Sequence, residues 1–221
     1  MNRDMRTVGS RAPTAVGAGA LALAWVGLAA AALAAGAQGP QAPPEVVVHA
    51  SDLSTSALYE FDFWTDAASP GAKMVGTPNK GEELDPPPEN DPHIRLSVPV
   101  QRGVPYRCWV HMKVGQPKGK SQANLLYVQF TEAVDKANRE VLKPGTGDYL
   151  IARGPAREGW AWVGCDPTNA GSPGPAVLFR TSGQITIRVQ AGMEGVGFDQ
   201  ILLSPARFLD KAPSEAVVPK R

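Results

Sequence analysis

The stretch "GWAWVGCDP" (159–167) gathers residue types that can do chemistry. Trp160 and Trp162 share one face if the segment is extended, because side chains alternate along a strand. A flat indole suits the apolar C–H side of a pyranose ring, and a few polar groups beside it suit the hydroxyls. Asp166 and Asn169 follow closely enough to supply those groups. Trp109 lies in "PYRCWVHMKV" (105–114), where alternation sets it with Arg107, His111 and Lys113, opposite Tyr106, Cys108, Val110 and Met112. That position makes it either a further aromatic surface or a ring covered by a loop. The competing reading makes all three tryptophans core or anchor residues, since large aromatics are mostly buried.

Two cysteines, Cys108 and Cys165, are the whole thiol inventory. In an oxidising compartment such a pair forms a disulfide. The alternative is two buried free thiols, each behaving as a small hydrophobe. No CxxC and no Cys/His cluster is present, which argues against zinc. Nothing resembles GxSxG, HExxH or a phosphate-cradling glycine loop. His49, His93 and His111 are scattered and read as strand-face residues rather than catalytic bases. The acidic run in 82–91 lacks any metal-loop spacing and reads as a solvated, proline-stiffened excursion. The chain is expected not to be an enzyme.

The elements that must position these residues are strands. "EVVVHA" (45–50), "LYEFDFW" (58–64), "HIRLSVPV" (93–100), "PYRCWVHMKV", "NLLYVQF" (124–130), "GWAWVG", "AVLFR", "QITIRVQ" and "GFDQILL" are β-branched, aromatic or alternating runs separated by turn residues. In "QITIRVQ", Ile185, Ile187 and Val189 point inward and Thr186, Arg188 and Gln190 outward. "TEAVDKANREVL" has no clean apolar stripe and reads as a loop with a helical turn at most. About nine short strands without a long helix predict an all-β, antiparallel β-sandwich.

Residues 1–37 read as a secretory signal: Arg3, Arg6 and Arg11, then the uncharged, alanine-rich stretch 15–37, closing on Ala35-Gly36-Ala37. An uncleaved membrane anchor is the alternative. The expected organisation is signal 1–37, proline-rich linker 38–44, sandwich 45–210 and a flexible tail 211–221. Without the signal the chain is close to neutral, which gives no electrostatic case for nucleic acid or for an anionic membrane surface. The expected location is secreted, periplasmic or in the cell envelope.

At "LFRTSGQITIRVQAGMEGVGFDQILLSP" (178–205) the sequence resembles the C-terminal hairpin of galactose-binding-like, jelly-roll β-sandwiches. In carbohydrate-binding modules of families 6 and 35 this end reads Gly-x-hydrophobic-Asp-x-hydrophobic-x-hydrophobic, matched by Gly197, Phe198, Asp199, Ile201 and Leu203. "VVVHASDLS" is similar to the modules' opening strand and "GVPYRCWVHMKV" to their central strand. The same blocks resemble exported bacterial domains of this type. The resemblance covers residues 45–209 and implies non-catalytic glycan or polysaccharide binding. The reading from another class is a structural or protein-interaction module that kept the fold and lost the sugar site. The resemblance also implies a structural Ca²⁺ between the first and last strands, with Asp199 as the final-strand ligand. The opening acid is replaced by Ser51, followed by Asp52. Without a metal, Asp199 is expected to accept backbone hydrogen bonds.

Overall fold

The computed structural model describes residues 43–115, 124–168 and 174–220. The expected signal, most of the expected linker and Asn169 lie outside them. No described residue is in an α-helix. Thirteen strands carry the fold: β1 (Val46–His49), β2 (Leu58–Tyr59), β3 (Asp62–Thr65), β4 (Lys73–Gly76), β5 (His93–Val100), β6 (Arg107–Val114) and β7 (Leu125–Phe130). After them come β8 (Ala133–Val134), β9 (Leu150–Arg153), β10 (Gly159–Gly164), β11 (Leu178–Phe179), β12 (Gly183–Ala191) and β13 (Gly197–Ser204).

Two antiparallel sheets face each other. One runs β10-β6-β13-β4-β3, with β1 also paired to β13; the other runs β2-β5-β12-β7-β9. A small β8–β11 pair sits apart from both. The architecture is the expected antiparallel β-sandwich. Alternation explains the filling between the sheets. Ile185, Ile187 and Val189 meet Cys108, Val110 and Met112 in one buried cluster, joined by Phe130, Phe179 and Phe198.

"LYEFDFW" is two strands and not one. Glu60 adopts φ 65°, and the chain changes sheet there: Leu58 pairs with Ile94 in one sheet, Phe63 with Val75 in the other. Phe61, between them, drops into the core edge-on to Phe198, with centroids 6.3 Å apart. β4 and β9 were not read from the sequence, because "KMVG" and "LIAR" are too short to show a period. "TEAVDKANREVL" holds no helical turn: it forms β8 and a turn in which Asp135 Oδ1 accepts from Ala137 N and Arg139 N.

The polar face of β12 points outward as expected, yet Arg188 and Gln190 are buried by loops. Gln190 Nε2 donates to Asp85 O at 2.8 Å. Across the sheet, Gln129 Nε2 donates to the carbonyls of Lys143, Thr146 and Asp148. The 77–92 segment is therefore packed rather than a free excursion. Leu84 N bonds Gly192 O, and the Glu194 carboxylate accepts from Lys80 N and Glu82 N. The tail expected to fray from residue 211 is a strap instead. It runs back over the six-stranded sheet and buries Val218 to 1% exposure. Gln200 clamps it, donating to Ala216 O and accepting from Val218 N.

Candidate functional site

The outer face of the six-stranded sheet carries four tryptophans. Trp109 projects outward on β6, as alternation predicts, and is covered: with Leu202, Phe208 and Val218 it forms a second small core beneath the strap. Its Nε1 donates to Phe208 O at 2.7 Å. Trp162 Nε1 donates to Glu215 O at 2.9 Å, so this half-buried ring is also tied to the strap. Trp162 pairs with His111 and Trp160 with Lys113 across β10 and β6. The His111 imidazole packs against both indoles, 4.8 Å and nearly parallel to Trp160, 4.9 Å and tilted to Trp162. The two rings thus share a face, as their spacing implies.

Beneath them His111 Nδ1 donates to Asp199 Oδ1 at 2.7 Å. Both residues are buried, and Asp199 Oδ2 has no partner. A base sealed behind two indoles cannot reach a substrate proton. The pair anchors β13 to β6. It takes the place of the backbone hydrogen bonds expected of Asp199.

Asp52 lies in a single turn after β1, where its carboxylate takes the His49 N–H and the Lys220 ammonium. Ser51 offers a neutral hydroxyl. Asp199 keeps one vacant oxygen. No cluster of three or more His, Cys, Asp or Glu among the described residues could hold a metal. This donor set does not fit the six to eight oxygens that calcium takes.

Three of the expected ligand residues do meet. Trp109, Trp162 and Asp166 line a cleft of about 290 Å³ together with Arg153, Asp210 and Lys211. Their chemistry is spent elsewhere. Trp109 is 4% exposed. Asp166 Oδ1 accepts from Thr168 N at 2.6 Å and Thr168 Oγ1 at 2.7 Å, closing a local turn instead of facing a ligand.

The residue not chosen from sequence is Trp64, on edge strand β3. It is 46% exposed, the most of any large hydrophobic side chain among the described residues. Its Nε1 donates to Gly76 O at 3.2 Å, which fixes the ring and leaves its face to solvent. Trp64 borders a cleft of about 250 Å³ with Thr77, Asn79, Lys113 and the β12–β13 turn. That turn has to approach closely. Gly195 sits at φ +81°, and a Cβ there would stand 2.5 Å from Asn79 Cγ. Gly195 N is held by Thr77 Oγ1 at 3.0 Å. In the sequence, Trp64 is one of four tryptophans available for stacking and the last residue of an alternating run; its edge position follows from the sheet change at Glu60, which the run does not show.

Cys108 and Cys165 stand side by side. They continue the β6–β10 pairing beyond Trp109 and Gly164, and Cys165 N donates to Cys108 O at 3.0 Å. Both are buried free thiols in the structure. The Cys108 thiol, which hydrogen-bonds to Cys165, and burial together push the Cys165 thiol well above its ordinary pKa.

No family model matches the chain. No curated protein matches it either. Solved structures do. A carbohydrate-binding module from Cellvibrio mixtus lichenase 5A, solved in complex with cellotriose, is 13% identical, with TM-score 0.44 over 76% of this chain and 100% of the module. The family 35 carbohydrate-binding module from Clostridium thermocellum is 14% identical, with TM-score 0.38 over 72% of this chain and 98% of that one. The GH26-CBM35 β-(1,4)-mannanase of Podospora anserina is 15% identical, with TM-score 0.47 over 74% of this chain. The chain spans only 28% of that enzyme. All three likenesses are at low sequence identity.

Proposed function

We propose that this chain is a non-catalytic glycan-binding module of an exported protein, and that the Trp64 cleft is its binding site. One observation carries the reading: a solvent-facing indole, pinned by its own N–H, borders a cleft lined by a hydroxyl, an amide and an ammonium. A pinned ring loses little conformational freedom on binding, so stacking on a sugar is not offset by ordering the side chain. The N–H is already bonded, so the ring offers its face rather than its edge. Asn79 and Lys113 line it beside the ring as hydroxyl partners, Lys113 held in place by Asp66, while the buried Thr77 shapes the wall by accepting from Gly195 N.

Affinity electrophoresis through gels containing neutral plant and bacterial polysaccharides tests this. The wild-type protein is retarded by at least one polysaccharide, and Trp64→Ala runs as in a blank gel while keeping its unfolding midpoint. Retardation unchanged in Trp64→Ala would move the site elsewhere. No retardation in any gel would leave the envelope-interaction reading.

A further inference from the structure

Lys113 belongs to two groups at once. Its ammonium lines the Trp64 cleft and also lies 5.8 Å from the centroid of the Trp160 ring. It meets Asp66 Oδ2 at 2.6 Å. The Asp66 carboxylate accepts from Lys113 and from Ala68 N at 2.9 Å. Trp160 presents its ring to the same ammonium that Asp66 neutralises. Its inner side rests on His111, and the ring remains half exposed.

The charges matter because they are few. Lys113 is the one charged residue among the described residues lining the cleft. The neighbouring Lys80 is paired with Glu194, and the Lys73 ammonium lies over the Phe63 ring. The Lys113 hydrogen bond holds the Asp66 carboxyl below its usual range, so Asp66 carries its negative charge at neutral pH. A ligand carboxylate entering here finds an ammonium already taken and a fixed negative charge beside it. A sugar hydroxyl finds a donor and an acceptor side by side, and one hydroxyl can use both.

Resting on the glycan reading above, we infer that the Asp66–Lys113 pair is the specificity determinant of this site: it joins the Trp64 cleft to Trp160 as a second stacking surface and selects uncharged glycan chains over uronate-bearing ones. Asp66 excludes acidic sugars by occupying the one cation they need.

Calorimetric titration of the whole protein separates this inference from the reading beneath it. The probes are uncharged hexasaccharides of glucose, mannose, xylose and galactose, set against hexagalacturonate. The wild-type protein binds one of the neutral chains at least roughly tenfold more tightly than the uronate. Asp66→Asn narrows or inverts that ratio by roughly tenfold, because Lys113 becomes free to pair with a carboxylate. Lys113→Met weakens the neutral chain without improving the uronate. A wild-type preference for hexagalacturonate overturns the inference. So does an unchanged ratio in Asp66→Asn when Trp64→Ala still abolishes binding. Binding of no probe at all overturns the glycan reading and this inference together. Thermal unfolding of each variant confirms that the comparison is between folded proteins.

Discussion

The two halves of one sheet face use the same side chain in opposite ways. On the strapped half, the N–H groups of Trp109 and Trp162 bond to carbonyls of the strap, at Phe208 and Glu215. The indoles there close a small core with Leu202 and Val218. On the open half, the Trp64 N–H bonds Gly76 O within the sheet itself, and the Trp160 ring lies against His111 and near the Lys113 ammonium. Among the described residues, no hydrogen bond ties an overlying segment to either ring. What separates the covered Trp109 from the exposed Trp64 is where the N–H finds its acceptor. An acceptor on an overlying segment pulls that segment down onto the ring. An acceptor on the sheet leaves the ring uncovered.

The contrast is sharpest where truncation should cost most. Trp109→Ala removes a 4% exposed indole and its bond to the strap. It should destabilise the fold by about 3–5 kcal/mol in urea unfolding, with glycan affinity of the folded fraction unchanged. A loss below about 1 kcal/mol would show that the strap does not use the ring as its anchor.

The cysteines lie under the same two strands on the inner face. We propose that they bridge when the protein is exported through an oxidising compartment, the two thiols passing their hydrogens and electrons to a disulfide donor by thiol–disulfide exchange. Intact-mass measurement without reductant should then find a chain lighter by two hydrogens. Reduction should cost about 4 kcal/mol if the bond forms unstrained. Two alkylatable thiols in protein recovered from the periplasm would exclude the bridge.

Trp64→Ala inverts the pattern of Trp109→Ala. An exposed ring contributes little to folding, so stability should move by no more than about 1 kcal/mol, while affinity falls by at least roughly tenfold. Equal effects on stability and binding would erase the distinction between the halves.

The smallest effect belongs to the other sheet. His93 is buried against Tyr59, ring on ring at 4.6 Å; its Nδ1 bonds Asp91 O and its Nε2 has no partner. Burial lowers its pKa below the ordinary imidazole value. The unfolded chain takes up a proton at about pH 6.5, where the folded one does not. Stability from this group is therefore complete above that pH. It declines as pH falls from there toward the depressed folded value, since the unfolded state then binds more protons. His93→Gln should flatten the midpoint-versus-pH curve in that window; an unaltered slope would assign the acid sensitivity to other groups.

Much of the sandwich was legible in residue order, and for a local reason. Alternation in "HIRLSVPV" and "QITIRVQ" places every second side chain in the core, and a one-residue slip would turn Ile187 outward, so β5 and β12 follow from the pattern. Placing Trp160 and Trp162 on one face followed from the same arithmetic. The strap, the buried outward side chains Arg188 and Gln190, and the sheet change at Glu60 carry no period of their own. "KAPSEAVVPKR" looks like a frayed end because its composition is that of a tail. It packs because Gln200, distant in sequence, offers both halves of an amide to its backbone.

Residue order alone sufficed for the all-β character of the described residues, for which side chains face inward, for the two indoles of "GWAWVG" lying together, and for Cys108 and Cys165 being the only thiols available to each other. All of these depend on period-2 geometry or on composition, which a local reading captures. The packed fold was needed to see that Trp109 is roofed, that Asp166 closes its own turn, that Asp199 faces His111, and that Trp64 borders a cleft. Each of those depends on which distant backbone carbonyl or carboxylate arrives at a given side chain, and the packing of the two sheets brings them there.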